Sequence, residues 1–393
     1  MKLSPEEKAI LAGKRGPAAR RAMEIVAALG EIYGADHTVP IKSAQISGIS
    51  YKNIGEAGLD FLKQWASEGA RVAIPAMMNP AGMDLGRWKE MGIPEGFARK
   101  QREVVEALAA MGVQPTLTCA PYLMEPRPSR GEHLAWAESS AVSFANSVLG
   151  ARTNREGGPS ALAAAIVGRT ACYGLHTDEG RNPTHLVEVS CPLRDEADFG
   201  ALGYLVGKEV KGGIPYFRFL ADSSPGWDEL RALGAAMAAS GAVALYHVEG
   251  ITPEASEVML PPSHSLKVKS LDEAYRALSS PPEQVDLVWI GCPHSSEKQL
   301  EQVASLVQGH KLKARLWVTT GREVRQKARK AVEVIEEAGG LVLADTCLVV
   351  APVEALGIRS VATNSAKAAF YLPSYAGVRV FFSSLERCIE IAL

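Results

Sequence analysis

The sequence predicts an α/β protein with mainly parallel sheets, arranged as two alternating regions joined by a helical middle. Apolar, β-branched runs of five or six residues alternate with longer stretches of helical periodicity, the rhythm of β-α-β crossovers. Several of those runs end in a cysteine followed by loop residues. At 393 residues the chain exceeds the size at which one core stops growing, so two or three subdomains are expected. Their expected boundaries are 1–130, 131–184 and 185–393.

The elements follow in order. Ser4, Pro5, Glu6 and Glu7 form a helix start, with Ser as N-cap, Pro at the first helical position and acids near the positive end of the dipole. A second helix is expected over Pro17 to Tyr33. Thr38 to Ser47 reads as extended, Glu56 to Glu68 as helical, Val72 to Met77 as extended, Glu95 to Met111 as helical and Val113 to Thr118 as extended. Gly131 to Arg169 is rich in Ala and Ser and reads as helical around a polar break, residues 150–158. That break is either a plain connection or, through its Arg, Asn and paired Gly, an anion site. From His185 the alternation resumes. Strands are expected at 185–190, 214–220, 243–248, 285–290, 315–319, 341–344 and 378–382, and helices at 227–240, 271–278, 297–307, 323–338 and 385–392.

Cys119, Cys292 and Cys347 each close one of these β-branched runs. In an α/β protein the loops after parallel strands converge on one rim, so three such thiolates can meet and hold an iron–sulfur cluster. Cys191 closes His185 to Ser190 in the same way, so position alone offers four candidates. Free cysteine also packs as a small hydrophobe, and Cys172 and Cys388 read as helix-packing residues. A zinc site is the competing metal reading, with His133, His176, His185, His247 and His294 as further ligands, although no C-x-x-C or H-E-x-x-H spacing supports it.

Composition narrows the rest. Hydrophobic residues make up 47% and charged residues 22%, the balance of an ordinary globular protein. Net charge is -2, from 42 basic and 44 acidic residues without like-charge blocks, so no nucleic-acid or membrane partner is implied. The first residues lack the apolar core of a secretory signal, and scattered cysteines fit reduced thiols, so a cytoplasmic location is expected. Walker and dinucleotide glycine loops are absent. Thr319 to Arg322 is either a helix cap or a small anion site.

Several ordered segments together carry a family resemblance. They are Ala44 to Gly48 with Tyr51 to Gly55, Met78 to Gly82, Thr118 to Tyr122, Ala137 to Ser140, Ala145 to Gly158, Gly291 to Pro293, Asp345 to Cys347 and Thr363 to Lys367. The chain resembles, over nearly its whole length, the aconitase X family, the compact branch of the aconitase superfamily. The resemblance implies an aconitase-like core around a central iron–sulfur site, lacking the swivel domain. It implies Cys119, Cys292 and Cys347, rather than Cys191, as ligands of a [4Fe–4S] cluster with one open iron, which becomes [3Fe–4S] when that iron is lost. The reaction implied is dehydration of a small phosphorylated hydroxy acid. Hydroxyproline-type dehydration and a non-catalytic, metal-stabilised binding subunit are the alternatives. Ser47, Gly48, Asn79, Pro80, Glu138 and Ser139 are expected to line the substrate pocket, with Arg152, Arg155 and Lys367 as anion-binding candidates. The family's base is a serine on the swivel domain, expected here on a small partner subunit of a heterodimer.

Overall fold

The protein is described by a computed structural model over residues 1–221, 223–280 and 284–393. Four sheets organise the described residues, and every strand pair but one is parallel. The first region runs α1 (Pro5–Leu11), α2 (Pro17–Ile32), β1 (Thr38–Pro40), β2 (Ala44–Ser47), α3 (Tyr51–Ser67), β3 (Ala76–Asn79), α4 (Glu95–Ala110), β4 (Ala135–Trp136), α5 (Ser139–Ser147), α6 (Gly158–Val167) and β5 (Arg169–Ala171). Its strands form a parallel trio in the order β3-β2-β4 and an antiparallel β1-β5 pair. The second region comprises β6 (His185–Val189), α7 (Glu196–Val210), β7 (Pro215–Phe219), α8 (Trp227–Gly241), β8 (His247–Val248), β9 (His264–Val268) and α9 (Asp272–Leu278), with sheet order β8-β7-β6-β9.

The third region holds the largest sheet. Its elements are β10 (Leu287–Ser295), α10 (Glu297–Val307), β11 (Arg315–Thr320), α11 (Arg322–Lys327), α12 (Arg329–Glu337), β12 (Leu341–Ala344), β13 (Ser360–Thr363), α13 (Ala366–Ala376), β14 (Arg379–Phe382) and α14 (Leu385–Ala392). The strand order is β12-β11-β10-β13-β14. Alternate residues face opposite layers, as the strand period of two requires. Leu287, Trp289 and Trp317 pack into the core shared with the second region. Val288, Ile290, Leu316 and Val318 pack under α10, α12 and α14.

Capping chemistry sets many boundaries. Ser4 with Glu7 and Ser296 with Gln299 form reciprocal capping boxes at α1 and α10. Gly55, at φ 59 and ψ -163, interrupts α3, so its regular helix starts at the residue expected.

Other expectations need correction. Val113 to Thr118 is not a strand: only Gln114 makes a bridge, to Met77, because Pro115 has no amide donor and Leu117 turns into the left-handed region at φ 55. The run Thr38 to Ser47 is two strands in two sheets, parted after Pro40. β3 begins only after Pro75, and 323–338 breaks into two helices at Ala328. Cys292 lies inside β10, where the register shifts between Ile290 and Ser295. Cys172 follows β5 and is no helix-packing residue, whereas Cys388 is buried in α14. Segment 131–184 is not separate. Its β4 and β5 hydrogen-bond to β2 and β1, so it shares both sheets of the first region. Residues 185–393, expected as one α/β region, carry two separate sheets. β5, β9, β13, α7 and α13 had no counterpart among the expected elements, and β4 lies in the stretch expected to be helical.

Candidate active site

Register places the polar residues. In the trio β3-β2-β4, Ser47 pairs with Asn79, and Gln45 pairs with Trp136, which brings Glu138 level with Ser47 at the carboxyl ends of the strands. Ser47 Oγ donates to Glu138 Oε2 at 3.1 Å and Asn79 Nδ2 donates to the same oxygen at 3.3 Å. Ser140 Oγ donates to Oε1 at 3.2 Å, and Ser139 Oγ reaches it only at 3.5 Å. Gly48 follows Ser47 at φ 82, and Pro80 is buried behind Asn79.

Across this edge comes a cation from the largest sheet. Lys367, in the first turn of α13 after β13, donates to Glu138 Oε1 at 2.5 Å and to Ser140 Oγ at 3.2 Å. Both side chains are 11% exposed. Burial pushes the Glu138 carboxyl up, but Lys367, Ser47 and Arg155 outweigh it and hold its pKa at about 2. Glu138 is therefore an anion at neutral pH, and Lys367 is held above the usual lysine range by the same pairing, against its own burial.

The three cysteines arrive at the same edge. The Cys292 and Cys347 thiols lie close enough to shift each other's titration, with Ser365 beside Cys292. Cys347 lowers the Cys292 thiol, with burial opposing and Lys367 assisting, while Cys347 itself is raised by Cys292 and by burial. Cys119 Sγ accepts the amide of His294 at 3.2 Å. Gly291 makes the bend possible: at φ +105, an added Cβ would stand 2.1 Å from the Thr319 carbonyl oxygen. Cys191 instead sits within the apolar core of the second region.

The arginines separate. Arg155 is exposed at the rim, with Nη1 3.5 Å from the Ala238 carbonyl and close enough to lower the Glu138 pKa. Arg152 points elsewhere, pairing with Asp178 and donating to the His176 carbonyl at 3.2 Å, so it pins its own loop. The histidines are dispersed: His133 meets His176 at 2.9 Å, His185 stacks on His264, and His247 bonds the Arg181 carbonyl. Among the described residues no three of His, Cys, Asp or Glu gather as a single ion would require. The sequence reasoning did not single out Ser140 or Ser365, and it named His294 only as a possible zinc ligand.

Family models match nearly all of the chain: aconitase X first domain over residues 1–179, second domain over 183–276 and third domain over 285–393. A phosphomevalonate dehydratase large subunit from Methanocaldococcus jannaschii is 50% identical over 99% of this chain and 100% of its own length. A cis-3-hydroxy-L-proline dehydratase from Pseudomonas aeruginosa is 37% identical over 100% of this chain and 70% of its own length. The solved holo-form of Thermococcus kodakaraensis aconitase X superposes with a TM-score of 0.94 at 44% identity, each chain covered completely. Fold and relatives together define a hydro-lyase of the aconitase type, a class that in general implies an iron–sulfur cofactor. The chain belongs to the aconitase X family.

Proposed function

We propose that this chain is the large subunit of a phosphomevalonate dehydratase, which eliminates water from (R)-5-phosphomevalonate to give trans-anhydromevalonate 5-phosphate in a modified mevalonate route to isoprenoids. Four archaeal proteins of that name, 45–50% identical over essentially the full chain, support the reading. The observation that carries it is the buried Glu138–Lys367 pair, ringed by Ser47, Asn79 and Ser140, beside three converging cysteines.

The donor set fits an iron–sulfur group. Three thiols share one edge, two of them close enough to shift each other's titration, the third accepting a backbone amide, with the Lys367 ammonium near Cys292 and Cys119 to offset negative charge. In this reading Cys119, Cys292 and Cys347 would hold a [4Fe–4S] cluster, which would supply Lewis acidity for dehydration. The protein groups do the rest. Glu138 stays ionised and accepts a hydrogen bond from the substrate, and Lys367 keeps a fixed positive charge near the substrate carboxylate, favouring loss of the adjacent proton. Arg155, at the rim, receives carboxylate or phosphate. Ser47, Gly48, Asn79, Pro80 and Ser139 shape the pocket. The base comes from a small partner subunit carrying the swivel domain, so the active site forms at the heterodimer interface in the cytoplasm. Among the described residues, no helix is long and apolar enough to cross a membrane.

The test is anaerobic reconstitution with iron, sulfide and the small subunit, followed by incubation with phosphomevalonate or cis-3-hydroxy-L-proline. Formation of the unsaturated phosphate from the first substrate is expected. Turnover of the second alone would reassign the substrate, and turnover of neither by cluster-loaded heterodimer would favour a binding subunit.

A further inference from the structure

We infer that His294 is a positioning residue that ties the three cysteine loops into one unit, an inference that rests on the cysteines being the cluster ligands. Its backbone amide donates to Cys119 Sγ at 3.2 Å. Its ring Nδ1 meets Thr118 Oγ1 at 3.1 Å, and that oxygen also accepts the Ala120 amide at 3.1 Å, so both neighbours of Cys119 are held. Its ring Nε2 donates to the Thr346 carbonyl at 2.7 Å. That carbonyl belongs to the peptide entering Cys347, whose amide donates in turn to Ala81 at 3.2 Å. Cys292 stands two residues before His294 on the same strand. One side chain and its own amide thus reach all three loops, which come from residues as far apart as 118 and 346.

The knot is braced from behind. The buried Arg231 of α8 donates from Nη1 to the His294 carbonyl at 2.8 Å, pairs with Asp228 at 2.9 Å and contacts Gln299. His294 is 1% exposed and Arg231 3%, so water cannot replace either set of bonds. Groups that hold metal ligands from outside commonly change affinity about 10–100-fold when removed. His294 requires no contact with iron or substrate to act in this way.

The experiment measures iron release to a chelator, the electron paramagnetic resonance spectrum of the cluster and the unfolding of the apoprotein, in the reconstituted heterodimer and its variants. His294→Ala should release iron about ten-fold or more faster, with an altered spectrum, while far-ultraviolet circular dichroism stays parental. His294→Gln, which keeps a donor for Thr346, should recover part of the difference, and Thr118→Val should fall between parent and His294→Ala. Parental release and spectrum in His294→Ala overturn the inference. If His294→Ala does not fold, the other two variants decide, and parental release in both overturns it. Cys119→Ser, Cys292→Ser and Cys347→Ser separate the underlying reading: parental iron content in any of them refutes that ligand rather than the role of His294.

Discussion

Lys367 and Glu138 concentrate the electrostatics of the site. Removing one partner of a buried ion pair leaves an uncompensated charge, at a cost of about 3–5 kcal/mol. Lys367→Met should lose stability in that range in urea unfolding, and adding Glu138→Gln should restore most of it. The pH dependence has a definite sign. The folded Glu138 pKa, about 2, lies below its ordinary 4.5, so its stabilisation is present above about pH 4.5 and fades as pH falls toward 2. Lys367 is raised above its ordinary 10.5, so its share is present below that value and fades only at higher pH. Stability should therefore fall less steeply between pH 4.5 and 2 in Glu138→Gln than in the parent, as acid titration followed by circular dichroism will measure. Both residues stood out in the sequence as members of family-like loops, but their pairing did not, because local pattern carries no information about a partner 229 positions away.

The stretch from Asn146 to Gly158 shows what an irregular element does when it is held by side chains. Asn146 Nδ2 donates to the carbonyls of Thr153 and Ala244 at 2.8 and 2.9 Å, and its Oδ1 accepts the Thr153 amide at 2.9 Å. These buried bonds, with Arg152 on Asp178, shape the loop that presents Arg155 at the rim. Asn146→Ala should cost about 2–3 kcal/mol, since it leaves several buried groups unpaired, and thermal unfolding will show it. The turn at Gly291 depends instead on the absence of a side chain. Gly291→Ala should destabilise by more than about 3 kcal/mol, because strand β11 cannot retreat from the added methyl, and soluble yield and melting temperature will report it. Elements with local signatures were legible: capped α1 and α10 and the amphipathic α2 and α4 lie where their patterns put them. α7 was not, because apolar residues cover it on nearly every side and no polar stripe marks its periodicity. The strand expected before Cys119 failed because Pro115 and the turn at Leu117 overrule a β-branched composition.

At the scale of the molecule, the site exists where the first and third regions dock. Ser50 Oγ donates to the Val350 carbonyl at 2.7 Å, Lys52 reaches Glu354 at 2.8 Å, and Ala81 and Thr346 form a parallel bridge across the seam. Gly82 permits this approach, since an added Cβ would stand 2.7 Å from both Ser50 Oγ and the Val350 carbonyl. Gly82→Val should loosen the seam and speed hydrogen exchange at the Cys347 amide, which otherwise donates to Ala81, while amides of the second region keep parental protection. Residue order alone sufficed for the α/β class, the parallel bias and most helix limits, because caps and periodicity act within a few residues. Folding in three dimensions left Cys191 in an apolar core, drew Arg152 away from the site and Arg155 toward it, and joined Glu138 to Lys367. Those outcomes depend on strand register and on how separate sheets pack, and both are set by contacts between residues that no local pattern connects.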